Sequence, residues 1–171
     1  LDPSALPTWV ALLEDLEAGG VVAGAYLAVR SAGDRPVPRL WEAWAKKYRA
    51  LVDMDSRRQW GFVLPIGTEA AMGLDAAKEL VRLLPGSGFS FALGQIQLRP
   101  VRLFSLTRWT VDSEAKSEAV KMSAMAAAGE LLITESDYAH LREKVKVQLK
   151  GELVAEEQAA PKKILNILGV Y

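Results

Sequence analysis

Paired acids, a single histidine and a cluster of tryptophans are the side chains in this sequence with the potential for chemistry or recognition. The acids come as Asp53 with Asp55, Glu14 with Asp15, and Glu156 with Glu157. A bound cation needs several such ligands converging on one point. Asp53 and Asp55 stand two apart in the stretch Asp53-Met54-Asp55-Ser56, without a third acid at loop-ligand spacing, so a turn is expected there. Glu14-Asp15 and Glu156-Glu157 are chain neighbours that share no helix face, and both pairs read as solvated. His140 is the only histidine. A histidine base needs a nucleophile and an orienting partner, and no Gly-x-Ser-x-Gly elbow accompanies this one, so a surface position is expected. There is no cysteine, which excludes disulfides, thiolate nucleophiles and thiolate metal sites. No phosphate-binding glycine loop occurs either. Gly86-Ser87-Gly88 precedes a strand pattern rather than a helix, so it reads as a turn. On these grounds no catalytic, cofactor-binding or metal-ligating residue is assigned, and no cofactor is expected.

The tryptophans are more informative. Trp41 and Trp44, with Tyr48, recur at three- and four-residue steps and form one aromatic face, with Lys46, Lys47 and Arg49 beside it. Such a face is either core or the anchor of an interface. Core is the preferred reading, and Trp41, Trp44 and Tyr48 are kept as the candidate interface.

Composition narrows the partners. The 171 residues fit one domain, 50% are hydrophobic and 25% charged, and 21 basic residues balance 21 acidic ones. Nucleic-acid binding draws its affinity from neutralised phosphates and needs a basic excess or stripe. The densest basic stretches, Lys46-Lys47-Tyr48-Arg49 and Lys144-Val145-Lys146, are too short for that. No apolar run reaches the ~18 residues of a membrane span, and no signal-peptide pattern opens the chain. Neither a nucleic-acid nor a membrane partner is expected, and a cytoplasmic location is.

The elements follow from hydrophobic period. Thr8 can cap a helix whose apolar face is Trp9, Leu12, Leu13 and Leu16, so residues 1–20 form an N-terminal helix and 21–171 the single main domain. Val21 to Val29 is a continuous apolar run, as a strand buried on both faces requires. Leu40, Trp41, Trp44, Tyr48 and Leu51 predict a helix over 38–52, and Gln59 to Ile66 a strand. Ala71 to Leu84 has helical spacing, stopped by Pro85-Gly86. Phe89 to Leu93 and Val101 to Leu106 alternate at period two and predict two strands. A helix follows from Asp112 or Ser113 through Ala126 to Gly129. Leu131 to Thr134, Val145 to Leu149 and Ile164 to Val170 read as strands, with a short helical stretch over Ser136 to Leu141. The expected fold is an α/β (α+β) domain, a mixed sheet covered by helices.

Four segments together resemble the catalytic domain of class III nucleotidyl cyclases. Ser117 to Thr134 runs at the spacing of that family's alanine-rich helix and the Gly-Glu-Ile-Leu start of the next strand, here Gly129-Glu130-Leu131-Leu132. Leu149-Lys150-Gly151 and Ile164 to Tyr171 look like its closing strands, and Gly61 to Ala71 resembles the strand and helix after its Gly-Asp pair. The resemblance implies a ferredoxin-like core, self-association, and an active site between two copies. It also implies where that chemistry is missing. The first metal aspartate belongs near Ala28, in a stretch without acids, and the second where Gln59-Trp60 stands. The transition-state asparagine and arginine fall on Ser117 and Lys121. Cyclases use the paired carboxylates to hold magnesium against the substrate. The expectation is therefore a degenerate cyclase-homology domain, leaning away from enzymatic activity, that acts as a dimerisation or regulatory signalling module. Its partners would be a second copy or another signalling protein. A nucleotide- or small-effector-binding module is the alternative, and an enzyme of unrelated chemistry the third.

Overall fold

The computed structural model describes residues 20–31, 33, 38–53, 59–66, 70–103, 106–141, 145–153 and 162–170. The helix expected within residues 1–20 lies outside these apart from Gly20, as do the acid pairs Glu14-Asp15 and Glu156-Glu157 and the residue Asp55.

Strand β1 (Gly20–Arg30) is central, pairing antiparallel with β3 (Gln59–Leu64) on one side and β4 (Gly88–Leu103) on the other. Its uninterrupted apolar run has a direct explanation. Ala25, Leu27 and Val29 enter one core and Tyr26 and Ala28 the other, so from 25 to 29 neither parity of residue meets water, while Val21 near the start of the strand is exposed. Short β2 (Leu51–Asp53) borders β3, and β5 (Leu106–Asp112) forms a hairpin with β4. Beyond β4 lie β6 (Leu131–Thr134), β8 (Lys162–Val170) and β7 (Val145–Leu153), giving the order β2-β3-β1-β4-β6-β8-β7. Among the described residues only β4 and β6 pair in parallel, through Phe89 with Leu131 and Ser90 with Leu132. Backbone bonds from Phe89 N to Glu130 O and from Gly129 N to Ser87 O close that junction.

Helices cover both faces. On the first, α1 (Glu42–Tyr48) and α2 (Ala70–Leu83) pack Trp44, Leu74, Ala77 and Leu80 onto Leu27, Phe62 and their neighbours. The i, i+3, i+4 spacing of Ala70, Gly73, Leu74, Ala77 and Leu80 is what makes α2 one-sided. On the second face α3 (Glu114–Ser123) lays Ala115, Ala119 and Met122 over β1 and β4. A single turn, α4 (Glu135–Tyr138), follows β6. Among the described residues no helix is long and apolar enough to cross a membrane.

The mixed sheet covered by helices is as expected, with three local corrections. The helix predicted over 38–52 is a 3-10 turn at Pro38–Leu40 followed by α1, and Leu51 belongs to β2. Arg49 ends α1 in the left-handed conformation at φ 57°, and its neighbour Ala50 closes the cap by donating to Ala45 O. The two strands predicted at Phe89 to Leu93 and Val101 to Leu106 are one strand through Leu103, and β5 extends to Asp112. Alternation continues through a hairpin, so period alone does not locate its turn. Finally, α3 ends at Ser123, and Gly129 makes a positive-φ turn (80°) before β6.

Candidate functional site

Register lines up a row of residues across the whole sheet on the α3 side. Asp53 of β2 stands opposite Gly61 of β3, Gly61 opposite Ala28 of β1, and Ala28 opposite Ser90 of β4. The row continues through Leu132 of β6 and Asn166 of β8 to Gln148 of β7. Its middle is dry: Ala28, Ser90 and Leu132 are fully buried, and the Ser90 hydroxyl donates to the Ala119 carbonyl of α3.

The charged end is built around Asp53. The Tyr26 hydroxyl donates to Asp53 Oδ2 at 2.7 Å, and Lys116 Nζ of α3 lies 2.9 Å from the same oxygen. Tyr26 reaches Asp53 by passing over Gly61. A Cβ at residue 61 would sit 2.8 Å from Tyr26 Cε1 and Oη, so the contact requires glycine there. Lys116 Nζ also donates to the Val111 carbonyl at 3.3 Å and lies 6.0 Å from the Tyr26 ring centroid. The side chains of Lys116 and Asp53 are 15% and 8% exposed, so this is a shielded ion pair rather than a surface one. Asp53 therefore ends a strand in a buried pair, which corrects its reading as a turn residue.

At its other end α3 is held by Arg30, the last residue of β1. Its Nε donates to Ser123 O at 3.1 Å and its Nη2 to Ala126 O, which satisfies carbonyls at a helix C-terminus with a cation. Helix α3 thus presents Ala115, Ala119 and Met122 inward, while Ser117 and Lys121 are exposed on its opposite side.

A second charged group surrounds α4. Burial raises the pKa of Asp137, and the nearby Glu118 carboxylate adds to this. The Leu93 amide, which donates to Asp137 Oδ2 at 3.2 Å, opposes it. Lys162 Nζ bridges to Glu118 at 2.5 Å. Glu130 is shifted the other way, held down by Lys150 at 2.8 Å and by the Ala127 amide at 2.7 Å. His140 is exposed in the turn after α4, with its backbone N–H on Asp137 O.

The structure places Trp41 and Trp44 in the first-face core, 7% and 2% exposed. Trp44 Nε1 donates to Ala76 O at 2.8 Å, and its ring meets Phe62 edge-on with centroids 4.7 Å apart. Tyr48 is half-buried and donates to Glu79 Oε2 at 2.6 Å, while Lys47 bridges the same carboxylate at 3.1 Å. The three aromatics are thus brought together on α1 and its N-terminal flank, well away from the Asp53 pair on the far side of the sheet.

No protein-family model and no curated protein matches this sequence. Solved structures do match. The guanylyl cyclase Cya2 superposes with a TM-score of 0.69 at 12% identity, over 90% of this chain and 95% of that one. The dimeric guanylyl cyclase domain of the RhoGC fusion protein from the aquatic fungus Blastocladiella emersonii gives 0.64 at 14% identity, over 89% and 99%. The adenylyl cyclase CyaB from P. aeruginosa gives 0.57 at 14% identity, over 88% and 95%. This chain has the nucleotidyl cyclase fold. It is the ferredoxin-like fold implied by the resemblance, and the positions that the resemblance gives to the family's metal acids hold none. The first position is Ala28, in the dry middle of the row. Beside the second, Trp60 turns to the other core, donates to Ser31 Oγ at 2.9 Å, and packs on Trp41 and Phe62. Among the described residues no three histidine, cysteine, aspartate or glutamate side chains come together to hold a metal ion. Sequence reasoning missed Tyr26 and Lys116. The available signal was a lysine in the first turn of a helix, where the macrodipole disfavours positive charge.

Proposed function

We propose that this cyclase-fold domain does not perform cyclase chemistry and serves as a dimerisation or regulatory signalling module in the cytoplasm. The observation that carries the reading is the replacement of the family's paired acids by Ala28 and Gln59-Trp60, with a buried lysine–aspartate pair nearby. A two-metal transfer needs carboxylates that hold cations against both substrate and leaving group. Ser117 and Lys121, at the positions of the transition-state residues, add support, since neither reproduces the amide and guanidinium it replaces. Self-association rests on analogy: one solved domain of this fold is described as dimeric, and another crystal form of the RhoGC domain as monomeric. The partner is a second copy or another signalling protein. Incubation with ATP or GTP and magnesium or manganese is expected to yield no cyclic nucleotide, and protein-dependent product refutes the non-catalytic reading. Sedimentation at high micromolar concentration is expected to show a dimer, and a monomer there refutes the dimerisation role.

A further inference from the structure

We infer that the corner where β1, β2 and α3 meet is a site for a primary ammonium group, filled by the chain's own Lys116, which latches α3 to β2 and closes that corner to free cations. This goes beyond the proposed function and holds whether or not the chain self-associates. The groups around Lys116 Nζ are those that recognise an ammonium rather than a hard divalent ion. Among the described residues they include one carboxylate oxygen of Asp53 at 2.9 Å, one backbone carbonyl of Val111 at 3.3 Å, and the Tyr26 ring with its centroid 6.0 Å away. A magnesium or calcium ion asks for six or more oxygens, and an aromatic face supplies none. The Tyr26 hydroxyl, at 2.7 Å from Asp53 Oδ2, fixes the carboxylate that receives the ammonium.

Placement of the lysine argues the same way. Ser113 caps α3 and accepts from Lys116 N at 2.9 Å, which sets Lys116 as the third residue of the first turn. Positive charge is locally unfavourable at a helix N-terminus, and Glu114 two residues earlier has the favoured sign. A residue that breaks the local rule while being 15% exposed has its compensation elsewhere in the fold, here in Asp53. Asp53 in turn is a carboxylate 8% exposed, which is stable only with a hydrogen-bonded counter-ion.

The test is chemical rescue. Lys116→Ala removes the ammonium and its stem, and its Tm is expected to fall by about 6–20 °C. Ethylammonium chloride is expected to raise the Tm of Lys116→Ala above matched sodium and choline chloride controls. It should leave wild type and the Asp53→Asn/Lys116→Ala double variant unmoved. No selective gain in Lys116→Ala, or an equal gain in the double variant, overturns the inference. Stabilisation by manganese in place of ethylammonium also overturns it, because the site would then prefer a metal. Should Lys116→Ala fail to fold, Asp53→Asn/Lys116→Met removes both charges while keeping the aliphatic stem. That double variant is expected to melt higher than either single variant, and one no more stable than the singles refutes the latch.

Discussion

Trp44→Ala separates the two roles open to the aromatic face of α1. The indole is 2% exposed and therefore removes close to its whole surface from water, about 150–250 Å² for a side chain of this kind. At ~25 cal/mol per Å² that transfer contributes about 4–6 kcal/mol. The edge contact with Phe62 and the bond to Ala76 O are lost as well, while partial collapse of neighbouring core side chains into the space recovers part of the cost. The net expectation is a destabilisation of about 3–5 kcal/mol, as for other buried tryptophans truncated to alanine. In a chain of this length that lowers Tm by about 6–20 °C. Urea unfolding of wild type and variant, monitored at one protein concentration and repeated at a tenfold lower one, reads the change and removes any contribution from assembly. A variant that melts with wild type but sediments as a smaller species would refute the core assignment and make Trp44 an interface anchor.

Two further perturbations probe the sheet and the charged group around α4. Ala28→Asp introduces an acid where the resemblance puts the first metal aspartate, but places it under α3 where Ala28 is fully buried. It is expected to cost about 3–5 kcal/mol in urea unfolding, and a variant as stable as wild type would show that the position has access to water or to a counter-ion. Asp137 has a folded pKa raised above the ordinary aspartate value of 3.8, chiefly by burial. The folded chain then holds that proton more tightly than the unfolded chain, so this group's contribution to stability falls as pH rises through the raised value. Asp137→Asn removes the titration and keeps an acceptor for the Leu93 amide. Its stability relative to wild type is expected to improve as pH rises above the ordinary aspartate value, and parallel curves from there to neutral pH would refute the assignment.

The main strands and helices were legible because their signals are local. Ala25 to Val29 is apolar at every step since both faces of β1 are covered there, and α2 shows its buried stripe in the spacing of Leu74, Ala77 and Leu80. The failures came where a local signal continued past a change of structure. Leu51 keeps the helical spacing of Trp44 and Tyr48, yet Arg49 has already ended the helix without a glycine to mark it. The Asp53 site was invisible for a different reason. Its three members are separated by 27 and 63 residues along the chain, as Tyr26 to Asp53 and Asp53 to Lys116, and only the sheet register brings them together. No window on the sequence spans such a set, whereas the absence of acids near Ala28 could be read from one segment.

The junction between β4 and β6 divides the molecule in a way that its continuous sheet conceals. Strand β1 is matched to β4 along eleven residue pairs, from Gly20 with Leu98 to Arg30 with Gly88. Strands β6, β8 and β7 join that block through two parallel pairs and the two flanking backbone bonds. The sheet therefore has a narrow isthmus, and α3 is the crossover that spans it, clamped to the larger block by Lys116 at one end and Arg30 at the other. Side chains bridge the same gap on both faces, because Leu131, Ile133 and Leu165 share the first core with Leu27 and Phe91, and Leu132 and Ile164 share the second with Ala28 and Ala92. The C-terminal strands are thus joined to the rest of the domain chiefly by side-chain packing on its two faces, beside a backbone ladder two pairs wide.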